Sequence, residues 1–301
     1  NLEVTLPGKP PYQGWPNFKS PDDLARALRI AGFDLLTTAN NHSNDAGKNG
    51  VIQTINTLQS NGFYHTGTYR DSLEKELYHP LVVYKKGFKL AFLNYTYGTD
   101  QKKHRPPTVV NVIDEVQIKR DLQQCQKLNV DASIVLLHWG KEYQIDPSEK
   151  QEQLARRLAH WGADLVIGSH PHVVQGVEEY FWRSGQNEKE KMSLLAYSLG
   201  NFISNQQKAY TDGGIILGVD LIKTEGDTQI EDHYYLPIWR FIRKNEAQGN
   251  SYHCIPISAY ERQNQQIPGL TKRDLRKMQA YAQFLRQHLN KSDCPERPLS
   301  D

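Results

Sequence analysis

The chain has 301 residues, with 36 basic and 34 acidic side chains and a formal net charge of +2. Both signs of charge are mixed along its length, which excludes the basic stripe of a nucleic-acid surface. Its mean hydropathy is -0.68, and no apolar run approaches the roughly twenty residues that a membrane-spanning helix needs. That length suits one large domain, or one domain with appendages. Cys125, Cys254 and Cys294 lie far apart and outside any Cys-x-x-Cys spacing, so neither a zinc ribbon nor a disulfide framework is indicated. A Cys254–Cys294 pair and free buried thiols both stay open as readings.

The opening Asn1-Leu2-Glu3-Val4-Thr5-Leu6 has no initiator methionine and reads as the end of a strand that began upstream. A loop rich in proline and aromatics follows, from Pro7 to Phe18. Ser20-Pro21-Asp22-Asp23 predicts a helix start, with Ser20 as N-cap and Pro21 at the first helical position. Gly32 ends that helix. Phe33 to Thr38 has strand composition and runs into Ala39-Asn40-Asn41-His42-Ser43-Asn44-Asp45-Ala46-Gly47. Turns favour Asn, Asp and Gly on their own account, but a histidine beside paired carboxamides, between a strand and a helix, sits where α/β proteins build their sites. The helix after it carries Val51, Ile55 and Leu58 on one face. His65, in a short strand, reads as structural.

Residues 81–84 and 89–95 form a hairpin pattern turning at Gly87, and an aperiodic loop spans about 96 to 107. Asp114 is a helix cap ahead of Val116, Leu122 and Leu128. Asp131 to Leu137 is a buried-looking strand that delivers His138-Trp139-Gly140-Lys141-Glu142. A helix capped near Asp146-Pro147 follows, and then the apolar strand Asp164 to Ile167 leads into Gly168-Ser169-His170-Pro171-His172-Val173-Val174-Gln175. Pro171 fixes its own φ and biases His170 away from helix, so an extended tripeptide is expected to aim two imidazoles at one point.

The strand, loop, helix order over residues 30–170 predicts an α/β fold with a mostly parallel sheet and helices on its faces. Beyond His172 the pattern turns antiparallel and β-rich, with strands near 173–181, 192–199, 213–220 and 230–238 and a Gly200-Asn201 corner. A polar C-terminal extension, 241–301, closes with a helix capped at Thr271. The main domain is expected to be 1–240.

Asn41, His42, His138, His170 and His172 thus all fall at the ends of predicted strands. Imidazole with carboxamide and carboxylate oxygen suits zinc, manganese or iron better than calcium or magnesium. Bound to such an ion, water becomes a nucleophile near neutral pH. The reaction class read from the residues is metal-assisted hydrolysis, in which a histidine that does not ligate protonates the leaving group.

Asn1-Leu2-Glu3, Ala39-Asn40-Asn41-His42, His138-Trp139-Gly140-x-Glu142, Gly168 to Gln175, and Tyr197-Ser198-Leu199-Gly200-Asn201-Phe202 together resemble the CapA family of poly-γ-glutamate capsule biosynthesis proteins, over about residues 1–240. That family is similar in fold to the calcineurin-like metallophosphoesterases, which implies a layered sheet sandwich flanked by helices. By the resemblance, the metal ligands are Asn41, His138, His170 and His172, with Glu3 where an acidic group is usual. His42 is implied as the leaving-group acid, and Asn40, Glu142 and Asn201 as substrate contacts. One or two divalent ions are implied, as is a strand bearing an aspartate ahead of Asn1.

The function implied is assembly or export of an anionic surface polymer at the cell surface, through membrane-anchored capsule machinery and a tether outside this chain. A metal-dependent phosphoesterase and a non-catalytic polymer-binding module are the alternatives. Lys102-Lys103-His104-Arg105 is read either as a local polyanion patch or as a solvated loop.

Overall fold

The computed structural model describes residues 1–100, 105–183, 189–224, 227–245, 247, 249–263 and 267–297. Lys102, Lys103 and His104 of the basic run therefore lie outside the described residues, as does most of the polar turn after Phe181. The elements in chain order are α1 (Asp23–Ile30), β1 (Leu35–Thr37), α2 (Gly47–Ser60), β2 (Tyr64–Thr66), β3 (Thr68–Tyr69), α3 (Ser72–Tyr78), β4 (Leu81–Lys85) and β5 (Phe88–Thr96). Next come β6 (Val109–Val110), α4 (Glu115–Lys127), β7 (Ala132–His138), α5 (Glu149–His160), β8 (Leu165–Ser169), β9 (Val177–Trp182) and β10 (Lys191–Ala196). The last are β11 (Gly213–Thr224), β12 (Asp227–Arg243), β13 (Ser251–Pro256), α6 (Ile257–Gln263) and α7 (Lys272–Leu289). The α/β class and the change from βα alternation to antiparallel strands are as the sequence predicts.

The chain divides into two units: Asn1–Trp139 with Leu158–Val166, and Gly140–Arg157 with Ile167–Asp301. In the first unit β4 and β5 form the expected antiparallel hairpin, turning at Lys86 and Gly87, which both have positive φ. β5 then pairs parallel with β7, so that Thr96 lies opposite His138 and both strands end together. β1 and β2 are a parallel pair. Val51, Ile55 and Leu58 of α2 are buried, as their spacing requires. Asp114 caps α4, its carboxylate accepting from the Val116 and Gln117 N–H groups. Two details differ from the sequence reading. Residues 1–6 form no strand; Leu2 N–H donates to Thr37 O and Thr5 makes a single bridge with Lys19. The first helix begins at Asp23 with Asp22, not Ser20, at its N-cap, and the Ser20 N–H donates to Thr5 O.

The second unit contains the antiparallel pair β9–β10 and the three-stranded sheet β11-β12-β13. Residue 240, where the sequence suggests the extension begins, falls inside β12. α7 carries a capping box, in which Thr271 and Asp274 each bond the other's backbone N–H. Its Met278, Tyr281, Ala282, Leu285 and Leu289 enter a core that also holds Val174, Val177, Trp239 and Phe241. Each larger apolar side chain buried there stabilises the fold by about 1.5–3 kcal/mol, so the helix is integral to this unit.

A buried polar network ties α4 to the strands of the first unit. Asp121 Oδ2 accepts from Tyr95 Oη at 2.7 Å and from His79 Nε2 at 3.0 Å, and Asp121 Oδ1 accepts from Gln117 Nε2 at 2.8 Å. Burial alone would raise the Asp121 carboxyl, but the bonds from His79, Tyr95 and Gln117 outweigh it and hold it below the usual carboxylate value. A depressed carboxyl contributes stability that is present above its unfolded pKa of about 3.9 and is lost as pH falls through the lower folded value. Asp121→Asn is expected to cost about 1–3 kcal/mol at neutral pH and to flatten the acid side of the stability curve. Urea unfolding from neutral pH down to about pH 3 reads both effects. An acid limb as steep in the variant as in the parent would refute this role.

Candidate functional site

In the first unit the loop after β1 is rigid because its own polar groups are satisfied. Ala39 N–H donates to Asn94 Oδ1 at 2.7 Å, Asn40 N–H to Ser43 Oγ at 2.8 Å, and Ser43 Oγ to Thr38 O at 2.6 Å. Gly67, at φ +112, passes so close that an added Cβ would lie 2.1 Å from Asn94 Oδ1. Asn40 was expected to touch substrate. It is fully buried, donating to Leu2 O at 2.8 Å and accepting from His42 N–H at 3.0 Å, and so braces the loop from inside.

That brace aims the next two side chains. Asn41 Nδ2 donates to Asp100 Oδ2 at 2.7 Å, which turns Asn41 Oδ1 toward His138 Nε2, 2.8 Å away. His138 is buried at the carboxyl end of β7 under the stacked ring of Tyr97. Glu3 Oε1 lies 3.7 Å from the same Nε2. Carboxamide oxygen, imidazole nitrogen and carboxylate oxygen thus face one another, a donor set that fits a borderline divalent cation once the Nε2 proton is released.

His42 faces a different partner. Its Nδ1 is 2.7 Å from Asp45 Oδ2, and Phe18 meets the ring edge-on at 4.4 Å. Burial pulls the imidazole pKa down, but Asp45, together with the charges of Glu3 and Asp100, leaves it above its ordinary value.

In the second unit Glu142, His170 and His172 each offer one ligand atom, and the three atoms lie within 4.8 Å of one another. Two imidazoles and a carboxylate are a common set for a divalent transition metal. The tautomer of His172 is set from behind. Asn201 Nδ2 donates to Thr211 O at 2.9 Å and to Gln206 Oε1 at 3.1 Å, which leaves Asn201 Oδ1 to accept from His172 Nδ1 at 3.0 Å. The lone pair of Nε2 is then directed to the side where Glu142 Oε1 lies, 3.9 Å away. Tyr143 stacks on His172 with ring centroids 6.1 Å apart.

The backbone here is strained rather than extended. Tyr143, His170 and His172 have φ of 66°, 101° and 60°, a region that costs non-glycine residues about 1–3 kcal/mol each. Proline at 171 predicted an extended His170; the tertiary clamp from Tyr143 N–H to Pro171 O, 2.8 Å, overrides that local preference. Gln175, buried between Gln151 Nε2 at 3.0 Å and Gln144 O at 2.9 Å, fixes the far end of the segment.

Each unit therefore gathers its own group of the residues singled out in the sequence: Glu3, Asn41, His42 and His138 in one, Glu142, His170, His172 and Asn201 in the other. Sequence reasoning missed Asp45, Asp100, Tyr143 and Gln206. Only Asp45 had a local signal, three residues after His42 in the same loop.

A sequence model described as bacterial capsule synthesis protein PGA_cap matches residues 1–206. The chain is 31% identical over 193 residues to the capsule biosynthesis protein CapA of Bacillus anthracis, covering 62% of this chain and 43% of that protein. It is 30% identical over 190 residues to the PGA biosynthesis protein CapA of Bacillus subtilis, covering 61% of this chain and 46% of that protein. The chain thus spans less than half the length of these curated relatives. Among solved structures, the NAD nucleotidase of Haemophilus influenzae is similar at 15% identity and a TM-score of 0.49, covering 93% of this chain and 50% of that one.

Two outcomes test the geometry. In chelator, His170→Gly is expected to be about 1 kcal/mol more stable than His170→Ala, because glycine alone relieves a left-handed φ; urea unfolding of the two variants decides it, and equal stabilities would refute the strain. Asn201→Leu is expected to weaken divalent-ion binding by about 10- to 100-fold, read by competition with a metallochromic chelator. Unchanged affinity would mean that the Asn201–His172 bond does not orient a ligand.

Proposed function

The chain belongs to the bacterial capsule synthesis protein family PGA_cap, and from that premise we propose that it acts in assembly or export of an anionic surface polymer, poly-γ-glutamate, outside the cytoplasm. The single observation that carries this reading is the match over residues 1–206, a range that includes the loop after β1, the Glu142, His170 and His172 group, and Asn201. The partners proposed are the polymer and membrane-anchored capsule machinery. Among the described residues no helix is long and apolar enough to cross a membrane.

One or two ions of manganese, zinc or iron are the proposed cofactor. Asn41, His138 and Glu3 are the ligands assigned to the first unit, and His170, His172 and Glu142 those of the second. A bound divalent ion would supply a Lewis acid and a water acidified to a pKa of about 7. The chain's own residues orient and protonate. Asn201 holds His172 in the tautomer that leaves Nε2 free of hydrogen, and Asp100 holds the Asn41 carboxamide with its oxygen toward His138.

His42, with Asp45 on Nδ1 and its pKa above the ordinary value, is the group placed to give a proton from Nε2 to a departing oxygen. This pairing favours a second reading, a metal-dependent hydrolase acting on a phosphoester.

Protein purified without chelator is expected to retain divalent metal by elemental analysis, and His170→Ala and His172→Ala to lose it. Immobilised parent protein is expected to hold poly-γ-glutamate at low salt. Metal-free protein that ignores the polymer would sink the first reading. For the second, hydrolysis of an alkyl phosphodiester such as glycerophosphocholine, whose alkoxide leaving group needs a proton, is expected with added manganese to fall about 10²- to 10⁴-fold in His42→Ala; an inert parent enzyme would dispose of it.

A further inference from the structure

Lys208 stands beside the Glu142, His170 and His172 group, one aromatic ring away. Its Nζ lies 3.7 Å from the centroid of the Tyr143 ring, and that ring stacks on His172. An aromatic face steadies an ammonium by its quadrupole without neutralising it. Lys208 is exposed, and among the described residues its Nζ has no carboxylate within ion-pairing distance. The charge is therefore available to an incoming anion.

The segment that carries Lys208 is built to hold it there. Thr211 Oγ1 donates to Lys208 O at 2.8 Å, Asn201 Nδ2 to Thr211 O at 2.9 Å, and Arg240 Nη2 to Gln206 O at 2.7 Å. Arg240, itself buried, also has its backbone N–H on Asp212 O at 2.7 Å. Both ends of the cradle are thus fixed: Tyr143 by its N–H to Pro171 O, and Lys208 by a turn bonded to the residue that orients His172.

We propose that Lys208, seated on Tyr143, is a binding residue for a carboxylate of a γ-linked glutamate chain, and that it docks the polymer next to the His172 ring. This rests on the reading of the polymer as poly-γ-glutamate. An ammonium is a compact point charge that pairs with one anionic oxygen of a carboxylate or a phosphate alike, so the choice of carboxylate comes from the polymer. A chain with one carboxylate per residue presents such a group at every step.

The test is titration calorimetry with a defined γ-linked glutamate oligomer on the parent, Lys208→Gln and Lys208→Arg. At roughly 50 mM salt Lys208→Gln is expected to weaken binding about two- to fivefold, and at roughly 300 mM the difference is expected to shrink. Lys208→Arg is expected to bind as the parent does, and metal content to be the same in all three. Parent-like affinity in Lys208→Gln would overturn the seat and leave the polymer reading standing. A parent that binds no oligomer, with its metal in place, would overturn both. With inorganic phosphate as the probe, a loss in Lys208→Gln that is absent with the oligomer would reassign the residue to a phosphoester and overturn the carboxylate proposal.

Discussion

The clamp from Tyr143 N–H to Pro171 O is the contact on which the geometry of the second unit's site depends. It joins the segment after Gly140 to the turn after β8, and on both sides of it the backbone is forced into positive φ, at Tyr143, His170 and His172. Three such residues together cost several kcal/mol by the usual scale, a large fraction of the stability of an ordinary domain. Strain of that kind persists only where the surroundings over-determine it. Here they do so through buried Gln175, which bonds Gln151 and Gln144, and through Asn201, which receives the His172 ring. A turn with ordinary φ would point the Cβ atoms of His170 and His172 elsewhere, and the convergence of Glu142, His170 and His172 would be lost.

The first unit reaches a comparable rigidity by another route. Its loop after β1 bends around Ser43, Asn40 and Asn94, each of which satisfies backbone groups that a buried turn would otherwise leave without partners. Gly67 is required because β2 and β3 meet where no side chain fits. Hydrogen bonding fixes the loop, and only then are Asn41 and His42 free to serve partners outside it. The two side chains are adjacent in sequence yet bonded to different carboxylates: Asn41 is aligned by Asp100 toward His138, and His42 is held by Asp45. One can act as a neutral ligand and its neighbour as a proton carrier.

Much of this was legible in the sequence where the signal is local. The α2 face of Val51, Ile55 and Leu58, the Asp114 cap, the Gly87 hairpin and the Thr271 capping box all follow from spacing and turn chemistry. So do the positions of His138 and His170 at strand ends. What could not be read was set by contacts distant in sequence. Asn40 looks the same as Asn41 in a polar run, and only their partners distinguish them, Leu2 O for Asn40 and Asp100 for Asn41. Proline predicted an extended His170, and a bond from Tyr143, 28 residues from Pro171, changed it. The helix α7 was legible from its cap, but the polar composition of the last sixty or so residues concealed that its narrow apolar stripe enters the core with Val174 and Trp239.

The family match ends at residue 206, yet the groups that hold Asn201 lie at and beyond that limit. Thr211 O takes one hydrogen of its carboxamide, Gln206 Oε1 the other, and Arg240 from β12 pins Gln206. β12 in turn pairs with β13 and packs in the same core as α7. The tautomer of His172 therefore depends, through a short chain of bonds, on strands that the family pattern does not include. The bonds that orient His172 thus run out of the matched range through the loop between Asn201 and Thr211 and end on β12.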